Sequence, residues 1–442
     1  MSTGPSLQQL EQLPAEMLEF ALLKTTTTTG SLAPRLGCLS FASRKTILTP
    51  GFLGNTSRGD TLLVMGARRN PPIPSPHANS NREIGLLTSV GFTALSSEYY
   101  AAAARKLQPD IVVGLADIPF GQEVVGSKRK DKMSDRTETW LRDLVVMKQS
   151  TSEKSEKPWS IFAPLLPIER ELQSWYLEHL LDDMVDHISG VAIYDAYLLD
   201  SLPEKLHHLP RLSFHAPASP QELLRHINLG IDLFTVPFLT DATDAGIVLD
   251  FTFPAPPKDA SSSSSSSTRH SLGIDMWSAN HAHSVTPLSA NCTCHACTHH
   301  HRAFLQHLLA AKEMLGWVLI QIHNHAILSA FFAGVRASIE QGTFDADVKA
   351  FEAYYVPALP EKTGQGPRVR GYQFKSESSQ VKREKKNPKA FQKFSEEEIA
   401  ELRARHKEGL LGGGKEVRDK VDDEALEGLV GLHGEVGDGR ET

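Results

Sequence analysis

The sequence predicts an α/β protein built on a (β/α)8 barrel, and three observations lead there. From Phe20 to about Phe253, apolar or β-branched runs of strand length alternate with segments of helical period. Strand and helix in repeated alternation imply a parallel sheet, either doubly wound or closed into a barrel. At least five such units occupy a span close to the roughly 250 residues of a (β/α)8 barrel, which favours closure.

The strand runs, in order, are PDIVVGLAD (109–117), SIFAPLL (160–166), GVAIYD (190–195), RLSFHA (211–216) and IDLFTVPF (231–238). Each is apolar nearly throughout instead of alternating, as expected of a strand covered on both faces. Between them SEYYAAAARKLQ, SDRTETWLRDLVVMKQ, ERELQSWYLEHLLDDMVDHI and SPQELLRHINLG carry apolar residues at helical spacing. The last opens with Ser219 and Pro220, an N-cap followed by proline at the first helical position.

The remainder divides into an N-terminal extension (1–19), the barrel (20–257), a serine-rich insertion (258–270), a metal-binding subdomain with the last barrel helices (271–360) and a charged tail (361–442). The insertion holds seven consecutive serines from Ser261 to Ser267, a composition that cannot form a core and is expected to be disordered. In the tail, also expected to be mostly disordered, Ser395 and Glu398 make a capping-box pattern ahead of one short helix. The basic run from Arg368 to Lys393 reads as a solvated stretch, with an RNA backbone or acidic surface as the competing reading.

Of 442 residues, 40% are hydrophobic and 22% charged, ordinary for a chain that folds in water. A formal net charge of -7 argues against a uniformly basic nucleic-acid surface, so any RNA contact is local. The apolar stretch from Met314 to Val335 is interrupted by Gln321, His323, Asn324 and His325 and reads as a buried helix, not a transmembrane segment. Four cysteines, three of them within six residues, do not make a secreted disulfide framework. With no targeting signal at the N-terminus, these thiols lead to an expected cytoplasmic location, with attachment to an organelle surface left open.

Those three, Cys292, Cys294 and Cys297, form C-x-C-x-x-C in NCTCHACTHHH and can converge as thiolates on one soft cation such as zinc. The fourth ligand is to be sought among His295, His299, His300, His301 and the distant His323. Leu319 and Ile327 flank His323 at four-residue steps, which puts His323 on an inward helical face. A histidine there is ordinarily satisfied by a backbone carbonyl; the neighbouring thiols favour ligation instead, and His299 to His301 read as a solvated run at a helix start. Three thiolates and one imidazole fill a tetrahedron and leave no open position, so one Zn2+ per chain would be structural. An iron–sulfur cluster or a zinc hydrolase is disfavoured on the same donor set.

The C-x-C-x-x-C run, the 26-residue step from Cys297 to His323, the His323–Asn324 pair and VRASIEQGTF after it resemble the zinc subdomain of tRNA-guanine transglycosylases. TPGFLGNTSRG, LTSVGF, PDIVVGLADIP, SPQELLRHINLGIDLF and Gly246 follow the same family's order. The resemblance spans about Phe20 to Tyr355 and implies an irregular (β/α)8 barrel with an inserted zinc subdomain. It also implies exchange of guanine for a deazaguanine base in a tRNA anticodon.

The departures from the family pattern fall on its chemistry. Thr235 stands where catalytic members carry the nucleophilic Asp, and Thr88 stands where a second Asp serves the reaction. An unactivated hydroxyl is a poor substitute for a carboxylate that must form and release a glycosyl ester. Asp241 and Asp244 occupy positions of tRNA-contacting arginines, and Tyr194-Asp195-Ala196 and Ala216-Pro217-Ala218 replace glycine turns of the base pocket. Asp232, three residues before Thr235, should face the other way on its strand. Asp117 matches the carboxylate that reads the base edge; a strand-end carboxylate without its former partner is the competing reading.

The resemblance therefore implies no catalytic residue here. It implies a non-catalytic chain that pairs, as a heterodimer through the zinc-bearing region, with a catalytic queuine tRNA-ribosyltransferase subunit and meets tRNA through that complex. A self-sufficient transglycosylase using another acid is the alternative.

Overall fold

A computed structural model describes residues 18–25, 32–41, 46–53, 62–76, 78–88, 91–121, 125–150, 159–257 and 269–367. Residues 1–379 belong to one compact unit; the second, 380–442, lies outside the described residues. Also outside are the extension before residue 18, the insertion from 258 to 268, the basic run from Arg368 and the helix expected after Ser395.

The chain opens with a three-stranded antiparallel sheet of β1 (Glu19–Thr25), β2 (Arg35–Ser40) and β3 (Ile47–Thr49). Next come β4 (Gly51–Phe52), β5 (Val64–Met65), the hairpin of β6 (Glu83–Thr88) and β7 (Gly91–Ser96), and α1 (Ser97–Leu107). The β/α units continue as β8 (Ile111–Val113), α2 (Ser127–Ser150), β9 (Ser160–Leu165), α3 (Ser174–His179), β10 (Gly190–Ile193) and β11 (Arg211–Ser213). They end with α4 (Pro220–Asn228), β12 (Leu233–Phe234) and α5 (Pro237–Asp244). The hairpin of β13 (Ile247–Leu249) and β14 (Gly273–Asp275) leads to α6 (His295–His299), α7 (Arg302–Ala310), α8 (Met314–Gln341) and α9 (Phe344–Tyr354).

Seven strands form one parallel sheet in the order β4-β12-β11-β10-β9-β8-β5. Taken around a ring, this is chain order, with β4 brought against β12 and the ladder left open between β4 and β5. Among the described residues the sheet is therefore seven strands and not a closed set of eight. β13 pairs antiparallel with β14 instead of joining it.

Side chains alternate between two separate cores, as the uniformly apolar strands require. Ile111, Val113, Phe162, Ala192, Leu212 and Leu233 cluster on one face with Leu39 of β2. Val112, Ile161, Ala163, Val191, Ile193 and Phe234 pack on the other with the surrounding helices. Gly190 makes room for the first cluster, since a Cβ there would lie 2.5 Å from the Phe162 ring.

Two expected elements are revised. The run IDLFTVPF is strand only at Leu233–Phe234, because Pro237, with φ already suited to a first helical turn, opens α5. The segment 169–188 is not one helix: α3 is preceded by a 3-10 turn (Arg170–Gln173) and followed by a π turn (Leu180–Met184) and a second 3-10 turn. The wider π turn keeps Leu180 and Met184 against the core. Ser219 caps α4 as its sequence implies, accepting from the Glu222 amide at 3.3 Å.

The helix α8 is 28 residues long, about 42 Å at 1.5 Å per residue. By length and composition it could cross a membrane, yet it buries His323, Asn324, Phe331 and Phe332 within the protein. It packs as a core helix.

Candidate metal centre and the strand ends beside it

The C-x-C-x-x-C loop turns into the short helix α6, which carries Cys297 inward, while Cys292 and Cys294 approach from the loop before it. Arg302 holds that loop by donating to the carbonyls of Pro287 and Leu288 at 3.0 and 2.9 Å. His323 reaches the same point from the buried face of α8. The donor atoms of Cys292, Cys294, Cys297 and His323 lie within 4.8 Å of one another, a group able to hold a metal ion.

The sulfur–nitrogen spacings lie close to those around a tetrahedral ion. With metal–sulfur and metal–nitrogen bonds of about 2.3 and 2.0–2.1 Å, a tetrahedral S···N edge is about 3.6 Å. Cys294 Sγ and Cys297 Sγ stand 3.6 and 3.2 Å from His323 Nδ1. His323 Nε2 lies 2.9 Å from the Leu249 carbonyl oxygen, so Nε2 carries the proton and Nδ1 presents its lone pair to the sulfurs. Burial depresses the His323 pKa and keeps the ring in the neutral, ligating form. Burial also pushes the Cys297 thiol up to about 12, a tendency that a bound dication reverses by favouring thiolate.

Asn324 completes the connection. Its Oδ1 accepts from the Leu249 amide at 2.8 Å, and its Nδ2 donates to the Ile247 carbonyl and Thr243 Oγ1, each at 3.0 Å. The adjacent pair His323–Asn324 thus occupies the open edge of β13, which explains why that strand stays out of the parallel sheet. Gly246, at φ +75°, turns the chain into β13; a Cβ there would meet the Trp277 indole at 2.5 Å. The remaining local histidines stand apart from this group: His295 and His299 are exposed and stacked at 4.3 Å, and His301 Nδ1 caps α7 by accepting from the Phe304 amide.

The other residues singled out by the sequence lie on or near the strands and on α5. Thr235, just past β12, donates its hydroxyl to the Ser213 carbonyl at 3.0 Å. Thr88, at the end of β6, donates to the Gly91 carbonyl at 2.8 Å. Asp241 and Asp244 sit on α5, the first exposed and the second half-buried. Asp232 lies before β12 and is fully buried, ion-paired with Arg35 and accepting from the Arg211 amide at 2.8 Å.

Asp117 does not lack partners. Its carboxylate receives a two-point grip from Arg129, both bonds at 2.6 Å, together with Asn79 Nδ2 at 2.6 Å and Arg136 at 3.0 Å. Burial pushes its pKa up, but the bonds from Arg129 and Asn79, the Arg129 charge and the Arg136 bond more than offset this and hold it below the ordinary carboxylate value. Arg129 lies in SKRKDK, which has no apolar period although α2 already starts at Ser127; Arg136 lies in the stretch whose helical spacing the sequence shows, but spacing does not reveal that its side chain reaches Asp117.

Tyr194 stacks on Phe214 with ring centres 5.3 Å apart. With Arg68, Asn70, Ile84 and Phe120 these rings line a cavity of about 40 Å3.

A family model described as queuine tRNA-ribosyltransferase matches residues 58–357. The chain is 36% identical over 311 residues to the queuine tRNA-ribosyltransferase accessory subunit 2 of Schizosaccharomyces pombe, covering 70% of this chain and 68% of that one. It is 28% identical over 311 residues to the protein of the same name from Xenopus laevis, covering 63% and 74%, and 28% over 285 residues to that of Drosophila pseudoobscura pseudoobscura, covering 61% and 65%. The matched span includes the four clustered metal donors, Asp117 and Thr235, and the chain belongs to the queuine tRNA-ribosyltransferase family, the tRNA-guanine transglycosylases.

Proposed function

We propose that this chain is the non-catalytic subunit of a heteromeric queuine tRNA-ribosyltransferase, the complex that exchanges guanine for queuine at the wobble position of tRNA. The observation that carries this reading is Thr235, whose hydroxyl is committed to the Ser213 carbonyl at the position of the family's nucleophile. An attacking group needs a base to take its proton, and this hydroxyl already gives its proton to a backbone oxygen. Asp117, saturated by Arg129, Arg136 and Asn79, has no acceptor capacity to spare for a base edge.

The remaining parts follow the same reading. The seven-stranded sheet is the family's irregular (β/α)8 barrel, and the ion held by Cys292, Cys294, Cys297 and His323 is one structural Zn2+, which ties the subdomain loop to α8. Beside it α8 exposes Met314, Leu315, Val318 and Ile322 at 54, 48, 48 and 39%. Spacings of four residues put Met314, Val318 and Ile322 on one stripe, which continues without charge through Ser329 and Ala333. An uncharged stripe at the metal subdomain suits a second subunit, so the catalytic homologue docks here as a heterodimer and tRNA is met through the complex. The four unpaired cysteines support a cytoplasmic complex, with peripheral contact with an organelle surface compatible with the same reading.

The test is incorporation of labelled guanine into tRNA by this chain alone, by a catalytic homologue alone and by both together. Activity is expected only with both present, and they should co-purify one to one. Exchange by this chain alone would replace the proposal with a self-sufficient transglycosylase.

A further inference from the structure

A second group of metal-binding side chains lies away from the cysteines, at the C-terminal ends of β10 and β11. His215 stands two residues beyond β11, and Glu222 and His226 project from one face of α4 at positions i and i+4. One donor atom from each lies within 4.8 Å of the others. We propose that His215, Glu222 and His226 hold a divalent transition-metal ion such as Zn2+, in a site distinct from the cysteine centre.

His226 is the observation that demands an explanation. Its ring is fully buried, and neither nitrogen has a hydrogen-bond partner. A neutral imidazole carries one donor and one acceptor, and burying both unmet is rare unless an ion or water completes them. The ring centres of His215 and His226 are 4.7 Å apart, and Tyr197 closes over both edge-on at 5.5 Å. Burial lowers the His226 pKa to about 4, with the His215 charge adding to the effect, so the ring is neutral and fit to ligate at physiological pH.

The surroundings hold His215 and Glu222 in place. Asp195 Oδ1 stands 3.4 Å from His215 Nδ1, and the Ala196 amide points at the same nitrogen from 3.1 Å. Glu222 uses one oxygen to accept from the Ala218 amide at 2.6 Å, which leaves the other for the ion. Arg225, the nearest cation on α4, reaches away to Glu352 at 3.4 Å and does not compete.

Tetrahedral nitrogen and oxygen ligands sit about 3.4 Å apart around zinc. Three donors within 4.8 Å need to close by about 1.4 Å at most, a side-chain adjustment on rigid elements. Two imidazoles and one carboxylate leave a position open for water or a small ligand, unlike the closed set of three thiolates and His323.

Full-length protein stripped with chelator and dialysed against Zn2+ should bind two equivalents. Cys294→Ser should remove one, and His226→Leu or Glu222→Gln should weaken the other at least tenfold. Cobalt loaded into Cys294→Ser should give a visible spectrum of nitrogen and oxygen ligation without thiolate charge transfer. Glu222→Gln keeps the bond to Ala218 and leaves the fold intact, so it carries the test if His226→Leu fails to fold. One equivalent in the unaltered protein would overturn the proposal. So would a second equivalent indifferent to both substitutions, which would assign it to exposed His295 and His299.

Discussion

Replacing Asp117 by Asn separates a structural carboxylate from a base-binding one. The substitution keeps the shape but removes the charge that four hydrogen bonds from Arg129, Arg136 and Asn79 address. Breaking a buried ion pair by removing one partner costs about 3–5 kcal/mol. Arg129 and Arg136 keep 27 and 13% side-chain exposure and so regain some hydration, which lowers the expectation to about 2–4 kcal/mol. That is roughly a 30- to 1,000-fold shift of the folding equilibrium.

Urea denaturation should report this as a lower midpoint at unchanged slope. The pH dependence has a definite sign. A folded-state pKa below the ordinary 3.8 means that Asp117 stabilises the fold above that value and loses this as pH falls through the folded pKa. The gap between wild type and Asp117→Asn should therefore be constant near neutrality and close only below about pH 4. A stability loss under about 0.5 kcal/mol, accompanied by lost binding of guanine or queuine, would refute the structural role and assign Asp117 to a base.

Other substitutions probe the remaining parts. Cys297→Ala or His323→Ala should weaken the thiolate-bound metal by more than about 100-fold, the upper end of what losing merely an outer partner costs, as read by equilibrium dialysis. Val318→Asp combined with Ile322→Asp should weaken association with the catalytic homologue by about 2 kcal/mol or more in calorimetry, because a charge is buried in place of an apolar side chain, while thermal melting of the isolated chain is unchanged. Thr235→Ala should leave exchange by the assembled complex within about twofold and cost about 0.5–1.5 kcal/mol of stability for the lost bond to Ser213. A hundredfold fall in exchange would restore Thr235 to the chemistry.

Much of the metal centre was legible because its signal is local. Three cysteines within six residues must be neighbours in space, and the 3.6-residue period alone placed His323 on an inward face. The partners of Asp117 were not legible: Arg129 and Arg136 follow 12 and 19 residues later, the first in turns with no apolar period and the second on a helix whose period says nothing of where that side chain reaches. The same limit hid His215, Glu222 and His226, since Glu222 and His226 look like ordinary polar positions on an amphipathic helix until His215 arrives from the end of β11.

By itself, the sequence determined the alternation of buried strands and helices and the loop that gathers three thiols. These are properties of composition and spacing along a few residues, and periodicity or chemistry reads them directly. Only the tertiary structure decided that among the described residues the parallel sheet stays open between β4 and β5, that His323 and Asn324 take the free edge of β13, and that Asp117 is spent on two arginines. Each of these depends on which distant backbone or side-chain group satisfies a buried polar atom. No local pattern carries that information, because a hydrogen bond constrains two positions in space whatever their separation along the chain.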